Sequence, residues 1–141
     1  MRESSPARVY ALAVGATLLV AGIIGFFYEP KFTSDESVRD AVFGILDVNG
    51  WHNVVHIATG ALGLAAFAAG LAASRTYALG LGVVYIVVAV WGFVIGSGES
   101  ILSIIPINTE DSVLHLLIGV TGLAAGAAAS APAGARTSRT A

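Results

Sequence analysis

Residues 49–70, NGWHNVVHIATGALGLAAFAAG, return near the other end of the chain as residues 108–129, NTEDSVLHLLIGVTGLAAGAAA. At a constant offset of 59 residues, Asn49 matches Asn108, Val54 matches Val113, His56 matches His115, Gly60 matches Gly119 and Gly63 matches Gly122. Leu64-Ala65-Ala66 likewise matches Leu123-Ala124-Ala125. A second correspondence runs at an offset of 67: Arg8 with Arg75, Tyr10-Ala11-Leu12 with Tyr77-Ala78-Leu79, Gly15 with Gly82, and Gly25-Phe26 with Gly92-Phe93. The repeating unit is therefore a pair of apolar segments with the loop between them. The second loop is shorter by 67 − 59, or 8 residues. A repeat of this kind decides what each half of the chain can be before any fold is assigned.

Of the 141 residues 56% are apolar and 11% charged, with a mean hydropathy of +0.83, which places most of the chain in lipid rather than water. Four uncharged stretches, 9–27, 54–73, 77–95 and 113–129, come near the ~20 residues that a bilayer core requires of a helix. The expected fold is an all-α integral membrane protein with four transmembrane helices arranged as two tandem two-helix repeats. Each repeat holds an even number of spans, so both enter the membrane in the same direction, and the axis relating them runs along the membrane normal. One four-helix domain then covers residues 1–129, with repeat one at about 8–73 and repeat two at about 75–129, followed by a disordered cytoplasmic tail at 130–141. A basic start followed by an apolar run is also how a signal peptide begins. The match of that run to the third span predicts that it is retained.

Arg2, Arg8, Arg75, Arg136 and Arg139 fall on one side of this arrangement and only Lys31 and Arg39 on the other. The positive-inside rule puts both termini in the cytoplasm of a multi-pass protein of the cell membrane. The two long loops, 29–50 and 96–112, are then outside. Thr33 with Glu36 has capping-box spacing, and Val38, Val42, Ile45 and Leu46 recur on one side, which predicts a short helix lying in the interface. Ile101, Leu102, Ile104 and Ile105 predict a smaller version in the second loop. Asn49-Gly50 is a turn dipeptide that places Trp51 and His52 where the second span enters, Trp51 as an interfacial anchor. The opposite connection is expected at Ser74-Arg75-Thr76.

Two copies of N-x6-H-x3-G-x2-G-L-A-A on even-numbered spans, together with Asn49-Gly50-Trp51-His52-Asn53 and Asp111-Ser112-Val113-Leu114-His115, give the chain a resemblance to a known family. From about Arg8 to Ala129 it resembles the actinobacterial four-helix membrane proteins catalogued as domain of unknown function 4383. The resemblance implies an integral membrane protein and supplies no reaction, substrate or cofactor.

Absence of cysteine removes disulfides, thiolate metal sites and dithiol chemistry. A net charge of −2 with scattered basic residues offers no track for nucleic acid. Gly60, Gly63, Gly119 and Gly122 lie at helical spacing and read as seams where helices pack closely. His56 and His115 share faces with those glycines and so point inward. Each is expected to hydrogen-bond a folded-back outer loop, with Asn49 and Asn108 helping to fix that loop.

The spans carry no Asp, Glu, Lys or Arg of the kind that lines a transport pathway. No catalytic residues are identified, and an enzyme is the less favoured class, with the loop acids Glu99, Glu110 and Asp111 its only candidates. The favoured function is a structural or interaction module in contact with the lipid bilayer and with a protein partner or further copies of itself, without a cofactor. The alternative is a module in which His56 and His115 converge on haem, a metal or another small ligand.

Overall fold

Pro6 takes the first helical position, where its missing N–H costs nothing, and Ser5 caps it to start α1 (Pro6–Gly25). The structure, a computed structural model, describes residues 5–129, so the expected tail at 130–141 lies outside the described residues. Asn49 begins α2 (Gly50–Ala69) by accepting from the His52 N–H at 3.0 Å. Its repeat mate Asn108 begins α4 (Thr109–Ala128) by accepting from the Asp111 N–H at 2.8 Å. Asp111 closes that capping box by accepting from the Asn108 N–H at 3.2 Å. Between them runs α3 (Leu71–Ile95). Lengths of 20, 20, 25 and 20 residues at ~1.5 Å rise each give four helices able to cross a hydrocarbon core of ~30 Å. These are the lengths and compositions of a multi-pass membrane protein.

The break between α2 and α3 falls at Gly70, not at the expected Ser74-Arg75-Thr76. Gly70 alone carries the turn, at φ 113° and ψ −167°, a conformation open to glycine and closed to the alanines around it. Arg75 consequently sits in an early turn of α3, where its Nε donates to the Gly126 carbonyl of α4 at 3.1 Å. Arg8 donates to the Phe67 carbonyl of α2 at 3.4 Å. Each arginine thus meets the negative end of the neighbouring even-numbered helix.

α1 packs chiefly on α2, and α3 on α4. A Cβ at Gly15 would meet the backbone of Gly60, Gly63 and Leu64 at 2.9–3.0 Å, and one at Gly82 would meet Leu123 N and Gly119 O at 2.9 and 3.0 Å. Added to Gly60 it would run into the α1 backbone at Leu19 and Gly15, and added to Gly119 it would meet Ile86 N at 2.9 Å. Backbones therefore touch at these positions, which is how helices gain contact where lipid offers no hydrophobic drive. The larger core residues are Tyr10, Leu18, Leu81 and Tyr85 among buried Ala7 and Ala78. Val20, Leu62, Val83 and Leu117 are each more than half exposed around the outside, as lipid-facing residues should be.

The two long loops do not form interfacial helices. Each is a short antiparallel hairpin: β1 (Asp40–Val42) with β2 (Leu46–Val48), and β3 (Ser100–Ile101) with β4 (Ile105–Pro106). Two local causes override the helix-like apolar spacing. Thr33 does not cap a helix; its hydroxyl accepts from the Asp35 N–H at 3.0 Å, and the Asp35 carboxylate takes both the N–H and the hydroxyl of Ser37. Those two hydrogen bonds hold the exposed Asp35 carboxyl below the usual carboxylate range. Phe43 and Gly44 then take φ of 54° and 71°, and the Ile45 N–H donates to the Val42 carbonyl at 3.0 Å, the pattern of a type I′ hairpin turn. Leu102 and Ser103 repeat it at 54° and 57° with the Ile104 N–H on the Ile101 carbonyl at 3.2 Å.

Candidate functional site

The polar side chains of the bundle gather at its hairpin end. His52 lies in the first turn of α2 and His56 one turn further on, on the same face. His115 is at the matching depth on α4, where Asp111 takes the place that His52 holds on α2. His52, Asp111 and His115 are buried at 2%, 3% and 6% exposure, and His56 is partly covered. The rings of His52 and His56 are 4.5 Å apart, and that of His115 is 6.1 and 6.2 Å from the two. Tyr85 of α3 packs edge-on against His115 at 4.9 Å. The structure therefore brings His56 and His115 together and adds His52, which the sequence had placed only at the helix entrance. Spacing carried that signal: His52 and His56, and Asp111 and His115, are i, i+4 pairs at equivalent repeat positions.

The loop hydrogen bond expected of His56 and His115 is made by His52 instead. Its Nδ1 lies 2.8 Å from the Asp47 carbonyl, and since a carbonyl only accepts, Nδ1 carries the proton. The Pro106 carbonyl of the other hairpin also neighbours this ring. His115 Nδ1 is buried with no hydrogen-bond partner, as is the Tyr85 hydroxyl. A buried imidazole nitrogen left in this state carries its full desolvation cost. Asp47, which orients His52, is itself held, because its N–H donates to Asp111 Oδ2 at 3.0 Å.

Above the histidines the two loops are held crosswise. Asn49 Nδ2 donates to the Ile104 carbonyl of the second hairpin at 2.8 Å, and Asn108 Nδ2 donates to the Ile45 carbonyl of the first at 2.6 Å. Each asparagine thus caps its own helix with its oxygen and grips the other repeat's hairpin with its nitrogen. Arg39 joins them, reaching the carbonyls of Gly98 and Glu99 and lying 3.6 Å from the Asp47 carboxylate. Deeper in the bundle Tyr10 Oη donates to the Ile118 carbonyl at 2.8 Å, and Tyr77 Oη to the Thr59 carbonyl at 3.0 Å. Trp51 stands at the rim of this end, edge-on to Phe32 at 5.0 Å.

His52, His56 and His115 form the group of side chains, among the described residues, whose donor atoms converge closely enough to hold a metal ion. The glycines on the same faces lie against neighbouring helices and the Tyr10 and Tyr77 side chains rather than open space. Glu99 and Glu110 stand on the loop side, and of the three loop acids only Asp111 enters the buried network. No curated protein and no solved structure matches the chain. Over residues 8–128 it matches the family model described as a domain of unknown function, DUF4383, and with most of its length covered the chain belongs to that family.

Proposed function

We propose that the protein is a structural or interaction module of the cell membrane, with both termini cytoplasmic and the two hairpins outside. The paired helices form two like-directed repeats about an axis along the membrane normal, and one domain spans both. The observation that supports this most is the reciprocity of the cross-repeat bonds. Tyr10 and Tyr77 reach equivalent carbonyls of the opposite repeat, as do Asn49 and Asn108. Gly60 and Gly119 let neighbouring backbones approach, and Gly63 and Gly122 also make room for the Tyr77 and Tyr10 rings. Side chains committed in this way make a rigid bundle with a stapled outer cap, suited to being held or to holding a partner, and not to opening a path for solute.

Two measurements test the reading. The chain has no cysteine, so single cysteines at Ser34 and Ser138 report sidedness without background. An impermeant thiol reagent on intact cells is expected to label position 34, and position 138 only after permeabilisation. Labelling of both from one side overturns the topology. For the interaction, the mass of the particle extracted in mild detergent is expected to exceed one 14.3 kDa chain with its detergent. A particle holding a single chain refutes that part.

A further inference from the structure

The ligand-type nitrogens of His52, His56 and His115 all lie within 4.8 Å of one another. Any three points so spaced have a common centre no more than ~2.8 Å from each, and imidazole bonds zinc at ~2.0–2.1 Å, so each ring has to close in by ~0.7 Å at most. A small torsional adjustment of each side chain supplies that.

We propose that His52, His56 and His115 bind one divalent transition ion of the zinc class, in a tetrahedral site whose fourth position is left to water or a small ligand. This goes beyond the structural reading above, which stands with or without the ion.

Two independent features fit a ligand site better than a set of packed core rings. His115 Nδ1 is buried with no hydrogen-bond partner, and as the unprotonated nitrogen of a neutral ring it would be satisfied by a metal ion acting as Lewis acid. His52 gives its Nδ1 proton to a backbone carbonyl, which leaves Nε2 unprotonated and facing away from that carbonyl; this is the arrangement that orients a metal-bound histidine. The carbonyl is in turn fixed, since Asp111 holds the N–H of the same residue, Asp47. Asp111 is therefore a positioning residue for His52. Imidazoles without thiolates suit zinc, cobalt, nickel or copper, whereas magnesium and calcium demand oxygen ligands. Three protein ligands leave an open coordination position, as in sites where the ion meets a further molecule. The ion would also join α2 of one repeat to α4 of the other beneath the crossed hairpins.

The test uses the full-length protein in mild detergent, stripped with a chelator, passed through a desalting column and then loaded with Zn2+ or Co2+. One ion per chain is expected, and the Co2+ form should show the intense visible bands of a tetrahedral ion, lost on adding equimolar Zn2+. His56→Gln and His115→Gln should each lower affinity at least tenfold. Asp111→Asn should lower it ~10–100-fold while leaving one ion per chain at saturation. Should the His variants not remain monodisperse, the wild-type cobalt spectrum and its displacement by zinc decide alone. A monodisperse wild-type preparation that retains neither ion overturns the proposal. So does a weak octahedral cobalt spectrum, or binding that survives unchanged in His115→Gln.

Discussion

Gly80 and Gly82 are two residues apart on α3 and should respond to the same substitution with opposite signs. A Cβ at Gly82 would stand 2.9 Å from Leu123 N and 3.0 Å from Gly119 O, both backbone atoms of α4 that no rotamer change can move. Ordinary contact begins near 3.4 Å, so α3 and α4 have to separate by about 0.5 Å, and a gap of that size forfeits a quarter or more of each dispersion contact along the seam. Gly82→Ala should therefore cost ~1–3 kcal/mol. Nothing lies within 4 Å of the same atom at Gly80, which faces outward. Gly80→Ala should gain the helix preference of alanine over glycine, up to ~1 kcal/mol. Trp51 at the start of α2 and Trp91 near the end of α3 provide fluorescence probes for thermal or denaturant unfolding in mild detergent. Midpoints that move apart, Gly80→Ala upward and Gly82→Ala downward, are the expected result. A neutral Gly82→Ala, or a loss at Gly80 equal to that at Gly82, would refute backbone contact as the basis of the seam.

Other substitutions probe the bonds between repeats. Tyr10→Phe and Tyr77→Phe each remove one hydrogen bond to a carbonyl of the opposite repeat, and each should lower stability by ~0.5–1.5 kcal/mol in the same unfolding assay. Asn108→Ser keeps a capping oxygen for α4 but loses the nitrogen that grips Ile45, so hydrogen exchange should quicken in the first hairpin while the start of α4 stays protected. Ser103 holds φ 57° without being glycine, and Ser103→Gly should raise stability by ~1 kcal/mol by relieving that conformation.

The four helices were legible because lipid imposes a length and a composition that few other environments ask of a chain. Where they end was less so. The break at Gly70 was hidden by alanines that read as helix on both sides, and only the positive φ reveals why the chain turns there. The hairpins were missed because Val38, Val42, Ile45 and Leu46 suit a helix face, while the deciding turn is carried by Phe43 and, in the second loop, by Leu102 and Ser103, residues that seldom take positive φ. Gly44 was the one local sign of a type I′ turn. His56 and His115 stood out through the repeat, but His52 did not, since its mate is Asp111 and an identity comparison passes over the pair. Tyr10 and Tyr77 were visible as repeated letters. Their bonds to Ile118 and Thr59 depend on how the helices cross, which one-dimensional spacing does not contain.

Crosswise holding of the hairpins, each by the helix of the other repeat, is the feature on which the proposed symmetry and stapled cap rest. Two double-cysteine variants address it in the cysteine-free chain: Ile45→Cys with Asn108→Cys, and Ile104→Cys with Asn49→Cys, both pairs taken from the reciprocal contacts. A short bifunctional thiol reagent, applied to membranes and followed by the intact mass of the purified chain, is expected to close an intramolecular bridge in both pairs with similar yield. Bridging in neither pair, or more efficient bridging in a same-repeat control variant, Ile45→Cys with Asn49→Cys, would contradict the crossed arrangement.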